Sequence, residues 1–199
     1  MDLHKVTEEI LKNIFIEIEA SGRHVHVTKE QAVQLFGHDL TPDRPLSQPG
    51  QWVAKERVAV IGPKGEFRNV AVLGPERKEG QVEISLTDGH KLGIMPPVRP
   101  SGDVKHSPGA VLKGPCGEVK LPQGVIAAQR HIHITRSDAA RFGVKDKQIV
   151  RLQTYTNRPL VFDDVLVRVS DDFATRVHLD MDEANACGYK TADLGRILQ

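Results

Sequence analysis

A mainly β fold with short helices, organised as two small β-barrel domains related by internal duplication, is predicted by three observations. The middle of the chain is a series of short apolar runs, Val58-Ala59-Val60-Ile61, Val70-Ala71-Val72-Leu73 and Val82-Glu83-Ile84-Ser85-Leu86, punctuated by Gly-Pro pairs at Gly62, Gly74 and Gly114. The segment Arg23-His24-Val25-His26-Val27-Thr28 returns as Arg130-His131-Ile132-His133-Ile134-Thr135, each followed by an Ala-containing helical pattern and a Phe-Gly pair. Long helical periodicity is scarce, and closing each β-rich half into a barrel would remove its exposed edges.

Taken in order, residues Asp2 to about Phe15 place Val6, Ile10, Leu11 and Ile14 on one side of a short amphipathic helix, with Glu8, Glu9, Lys12 and Asn13 on the other. From Phe15 the period changes to two, so Phe15-Ile16-Glu17-Ile18-Glu19 and then His24-Val25-His26-Val27 read as extended chain. Thr28 with Gln31 forms a capping-box pattern that opens a helix running through Phe36 to Gly37. The stretch Met95-Pro96-Pro97-Val98-Arg99-Pro100-Ser101-Gly102-Asp103 reads as a long loop that joins the halves or lines a site. Thr135 repeats the capping position, Ile149-Val150-Arg151-Leu152 and Val165-Leu166-Val167-Arg168-Val169 read as strands, and the acidic start of Asp180-Met181-Asp182-Glu183-Ala184-Asn185 opens a last helix. The expected division is an N-terminal helix over 1–15, a first barrel half over 16–100 and a second over 101–199, with exchange of segments between the barrels allowed.

A chain of 199 residues can support two small cores. Its formal net charge of +1, without a basic block, offers no footprint for duplex nucleic acid, so an anionic ligand must be met by a local cluster. No apolar stretch approaches the roughly 18 to 20 residues of a membrane helix, and the N-terminus lacks a basic-then-apolar signal pattern, so a cytoplasmic protein is expected. Cys116 and Cys187 form no C-x-x-C pair, which argues against a disulfide framework or a cysteine zinc knuckle.

Residues i and i+2 of a strand face one side, so His24 with His26, and His131 with His133, make two ready chelates. A catalytic zinc or similar ion takes about three protein ligands and keeps one position open, so these four histidines can seed two metals. Glu83, in Val82-Glu83-Ile84-Ser85, and His178, in Arg176-Val177-His178-Leu179, are the polar residues among apolar neighbours that would complete them. The competing readings are a solvated polar strand face and a structural zinc, although the latter normally saturates itself with four protein groups. A cupin is disfavoured because Glu30 falls in the capped helix and Ser137 takes its place in the repeat. An amidohydrolase barrel needs about 250 residues, and the metallo-β-lactamase pattern needs an Asp where this chain has Thr28 and Thr135. Arg77, in Gly74-Pro75-Glu76-Arg77, is either a surface charge or a phosphate-binding fork near Glu83. Arg23 and Arg130 are expected on the strand face opposite the histidines, in a structural role or holding a phosphate of a larger ligand.

These motifs, in this order, resemble the PduL-type phosphate propanoyltransferase family, the phosphotransacylases associated with bacterial microcompartments and propanediol degradation. The resemblance spans nearly the whole chain through Ser21-Gly22-Arg23-His24-Val25-His26, Leu73-Gly74-Pro75 with Arg77, Gln81-Val82-Glu83-Ile84-Ser85, Pro97-Val98-Arg99-Pro100-Ser101-Gly102-Asp103, Ala128-Gln129-Arg130-His131-Ile132-His133 and Val177-His178-Leu179 running on to Asn185. It implies two β-barrel domains with a dinuclear zinc site between them. His24, His26 and Glu83 would hold one ion and His131, His133 and His178 the other, with Arg77 binding phosphate and Asn185 nearby. The implied reaction is reversible exchange of phosphate and coenzyme A on a short acyl group, by direct attack of phosphate on the thioester, with acyl-CoA, acyl phosphate and phosphate as reactants. The resemblance also raises a microcompartment lumen as location, shell proteins as partners and a homo-oligomer, while the N-terminal helix is expected to pack on its own domain. The rival functions at this level are a dinuclear metallohydrolase and a non-enzymatic metal- or nucleotide-binding module.

Overall fold

The computed structural model describes residues 7, 10, 11 and 13–198, and it is mainly β with short helices. Residues 7, 10, 11, 13 and 14 are helical, whereas Val6, Glu8, Glu9 and Lys12 of the expected amphipathic helix lie outside the described residues. Ile10, Leu11 and Ile14 are 53%, 41% and 39% exposed. Helical hydrogen bonding ends as Phe15 N–H donates to Leu11 O at 2.8 Å, and the Phe15 ring meets Tyr155 edge-on at 5.0 Å.

The chain divides into two compact units: a central unit over 22–128, and a terminal unit that joins the residues up to Ser21 with those from Gln129. Strand β1 (Ile16–Ser21) therefore belongs with the C-terminal part, and residues 101–128 belong with 22–100.

The central unit contains β2 (His24–His26), α1 (Lys29–Phe36), β3 (Pro42–Pro45), β4 (Trp52–Ile61), β5 (Glu66–Gly74), β6 (Gln81–Glu83), α2 (Leu86–Leu92), β7 (Val98–Arg99), β8 (Ala110–Lys113), β9 (Glu118–Leu121) and β10 (Val125–Ala128). Its sheet follows the path β7-β10-β6-β2-β5-β4-β8-β9, with β3 added to β4, and it is open where a second closed barrel was expected. One edge is managed locally: Gln34 Nε2, on α1, donates to Glu118 O at 2.8 Å, and Cys116 N–H donates to Leu35 O at 2.9 Å, so α1 occupies backbone groups beside β9. Val25, Val72, Val82, Leu112 and Val125 are fully buried in this unit's core.

The terminal unit adds β11 (His131–Ile134), α3 (Arg136–Phe142), β12 (Ile149–Tyr155), β13 (Val161–Val169), β14 (Arg176–Asp180), α4 (Met181–Cys187) and β15 (Leu194–Leu198). Here the sheet closes, in the order β1-β14-β11-β13-β12-β15 with β15 returning to β1. Ile18, Ile132, Ile134, Leu152, Val167 and Val177 fill its core. Strand alternation puts Ile132 and Ile134 on the core face, and His131 and His133 therefore project from the other.

Local chemistry explains the recurring strand-cap-helix order. Thr28 accepts from Gln31 N–H and Gln31 Oε1 accepts from Thr28 N–H, the predicted capping box, and the helix stops at Gly37 with φ of 80°. Thr135 accepts from Asp138 N–H ahead of α3, which ends at Gly143. Asp180 and Glu183 form the capping box of α4. The run from Val82 to Leu86, read from sequence as one extended piece, instead splits: β6 ends at Glu83, and Ser85 caps α2 by accepting from Asp88 N–H at 3.2 Å. Gly89 disguises this helix, since glycine is a poor helix former. Packing demands it there, because a Cβ would stand 2.7 Å from Ile94 O.

Ile132 is fully buried in the closed barrel. Ile132→Ala is expected to cost about 2–5 kcal/mol of stability, read as a lower denaturant midpoint at unchanged slope. A change within experimental error would show that β11 does not anchor this core.

Candidate metal centres and anion cleft

In the central unit, β2 pairs antiparallel with β6 in the register His24↔Glu83, Val25↔Val82 and His26↔Gln81. His24, His26 and Glu83 are all buried, and each offers a ligand atom within 4.8 Å of the others. His24 Nδ1 lies 2.8 Å from Gly22 O, a contact that places the ring proton on Nδ1 and turns Nε2 toward Glu83, 3.5 Å from Oε2. His26 Nδ1 is buried and has no hydrogen-bond partner among the described residues. His26 Nε2 lies 3.9 Å from Glu83 Oε1, so two imidazoles and a carboxylate converge as the ligands of a divalent cation would.

The protonation states point the same way. Burial, then the charges of His24 and Arg77, push His26 well below the ordinary imidazole range, leaving it neutral with a lone pair to donate. Burial also opposes a charge on His24, but Glu83 overcomes it and raises that pKa. Burial would raise the Glu83 carboxyl, yet His24, His26 and the Ser101 hydroxyl together hold it far below its usual range, so it is an anion. A bound metal would displace the His24 proton and take over its role.

Two groups not singled out by sequence complete this arrangement. Ser101 Oγ donates to Glu83 Oε1 at 2.7 Å and accepts from Arg77 NH1 at 3.1 Å and from Gln81 Nε2 at 3.0 Å, which uses the hydroxyl fully. Gln81 Nε2 also donates to Glu83 Oε1 at 2.6 Å, while its Oε1 accepts from Gly102 N–H at 2.8 Å. The long proline-rich loop therefore lines the site. Arg77 is tied by its backbone N–H to Val27 O at 2.8 Å, and with His26 it lines a cleft of about 250 Å³ together with Pro49, Gly50, Gln51, Gly74, Pro75 and Glu76. Gly74 packs against the Trp52 ring, where a Cβ would lie only 2.2 Å away.

The terminal unit repeats the geometry. Strand β11 pairs antiparallel with β14 so that His131 stands opposite His178. His131, His133 and His178 offer ligand atoms within 4.8 Å of one another, and their ring centroids lie 4.6 to 5.0 Å apart. His131 Nδ1 lies 2.8 Å from Gln129 O, as His24 does from Gly22 O. Phe173 packs on His133 at 4.2 Å, and Glu19 Oε2 stands 4.0 Å from His178 Nδ1 while its Oε1 accepts from Arg176 Nε at 3.2 Å. Asn185 is exposed on α4, the helix that follows β14.

The model of the phosphate propanoyltransferase family matches residues 17–190 of this chain. The chain belongs to that family. Among its relatives, the phosphate propanoyltransferases of Clostridioides difficile and Thermotoga maritima are each 50% identical over 203 residues, covering 99% of this chain and 97% of theirs. That of Listeria monocytogenes is 50% identical over 199 residues, covering 99% and 93%. Membership makes the protein an acyltransferase.

For this phosphate propanoyltransferase family member, one signal for the missed residues was present in the sequence. Gln81 and Glu83 alternate on β6, which sets both on one face. Ser101, by contrast, is brought in by a loop whose path only the fold defines. Ser101→Ala would leave Glu83 short of a donor and is expected to weaken metal binding at the central triad about ten- to a hundredfold, with the His131 cluster unaffected. Competitive titration with a chromophoric chelator measures this, and unchanged affinity would remove Ser101 from the site.

Proposed function

We propose that this chain interconverts a short-chain acyl-coenzyme A, propanoyl-coenzyme A or similar, and phosphate with acyl phosphate and free coenzyme A. One divalent ion, zinc by family resemblance, would be held by His24, His26 and Glu83 and one by His131, His133 and His178. The reading is carried by Arg77: its guanidinium reaches the metal-binding triad of the same unit through Ser101 and shares a cleft with His26. An arginine fork beside a divalent ion suits a phosphate dianion.

In this reading Arg77 orients phosphate so that one of its oxygens attacks the thioester carbonyl carbon; the carbon–sulfur bond then breaks and coenzyme A leaves as the thiolate. Divalent ions held by His24, His26 and Glu83 and by His131, His133 and His178 would supply Lewis acidity for the acyl transfer. The chain's own contribution is mostly positioning, because two anionic reactants must be brought together against their repulsion. Asn185 is assigned to the same chemistry as a donor near the substrates. Cys187 is buried and its thiol pKa is pushed up by burial, which suits a packed thiol rather than an acylated nucleophile.

Acyl-coenzyme A incubated with and without phosphate, with free thiol followed, tests the activity. Thiol release that requires phosphate supports the transferase. Phosphate-independent release would make the protein a thioester hydrolase, and no release would leave only a binding module. His131→Ala and chelation are each expected to lower the phosphate-dependent rate about a hundredfold or more, and full activity after both would sink the dinuclear mechanism.

The exposed Ile10, Leu11 and Ile14 support a docking role for the N-terminal segment, with a microcompartment shell protein as the partner that the resemblance names. Removing the residues before Phe15 should then abolish co-purification with shells at unchanged activity, and retained co-purification would exclude the docking role.

A further inference from the structure

The arginine that opens each Arg-His-x-His strand is not a metal ligand, yet it makes the same contact in both units. Arg23 grips Asp88 with two hydrogen bonds, Nε to Oδ2 at 2.9 Å and NH2 to Oδ1 at 2.7 Å, and its guanidinium lies over the Phe67 ring at 4.1 Å. Arg130 NH1 donates to Glu183 Oε1 at 2.7 Å, its Nε donates to Asp163 O at 2.6 Å, and its guanidinium lies over Phe162 at 5.6 Å. Asp88 and Glu183 occupy the same place: each is the third residue of a helix, α2 or α4, that follows the strand bearing the third ligand. Glu83 precedes Asp88 at the same offset as His178 precedes Glu183.

We propose that Arg23 and Arg130 are positioning residues, each a tie that holds the strand bearing two ligands against the strand-helix turn bearing the third. The register places the third ligand opposite the first histidine, and the β2–β6 ladder that does so in the central unit is only three residue pairs long. The arginine adds a side-chain tie to that pairing. In the central unit it adjoins His24 in the chain, and its partner Asp88 is itself anchored by its N–H to Ser85. In the terminal unit Glu183 also accepts from Asp180 N–H, so one carboxylate both caps α4 and receives the tie. A bidentate guanidinium-carboxylate pair is directional in a way that a lysine contact is not.

This inference rests on the metal-binding reading of the two triads. Its test is a stepwise cobalt(II) titration of the whole metal-free protein, with the visible ligand-field bands reporting each site, alongside the thermal midpoint of the metal-free form. Arg23→Gln and Asp88→Asn should each weaken one of two sites about ten- to a hundredfold and leave the other unchanged, and the double variant should lose no more than either single. Arg130→Gln should weaken the other site instead. Arg23→Lys should restore only part of the loss. Equal loss at both sites, unfolding of the metal-free Arg23→Gln and Asp88→Asn proteins, or unchanged affinity in both would overturn the tie. A wild-type protein that takes up no cobalt would instead sink the metal-binding reading itself.

Discussion

Everything at the two centres depends on the antiparallel register between a His-x-His strand and the strand that supplies the third ligand. Backbone hydrogen bonds set His24 opposite Glu83 and His131 opposite His178. A slip of one residue would bring Val82 or Val177 opposite the first histidine and turn the third ligand to the far face. Neighbours on both sides hold the register. Strand β6 is also paired parallel with β10, and β14 with β1, so neither third-ligand strand is an edge. Because β1 precedes β2 in the chain but pairs with β14, while β10 precedes β11 but pairs with β6, the strand leading into each His-x-His segment completes the sheet of the other unit.

Gathering ionisable groups in buried positions carries a cost that the surrounding contacts must offset. Around Glu83 the offset comes from two side-chain donors, Ser101 and Gln81, and from the adjacent imidazoles. The two triads differ in charge, since one contains a carboxylate and the other only imidazoles. A divalent ion held by His24, His26 and Glu83 would keep one unit of positive charge, and one held by His131, His133 and His178 would keep both. Glu19 near His178 softens that difference from outside the ligand set.

The histidine chelates, the capped helices after them and the mainly β character were legible in the chain because each depends on local periodicity. His24 with His26 and His131 with His133 follow from the two-residue strand repeat, and Thr28, Thr135 and Asp180 are caps because their side chains reach their own helix. Helix α2 was not legible, since Gly89 looks like a breaker until its packing against Ile94 is seen. Nor was the open sheet of the central unit, because closure depends on whether its end strands meet rather than on any strand's own composition.

By itself, then, the sequence determined the residue types with metal-binding chemistry, their pairing two by two, and, through resemblance, the family. Glu83 and His178 were already candidates in the sequence; the tertiary structure decided that Ser101 and Gln81 buttress Glu83 and that the repeated arginines grip helix carboxylates. The reason is physical: a strand's alternation sets a side chain's face from local geometry alone. Which group it meets on that face is decided by sheet register and loop path, which depend on the whole fold.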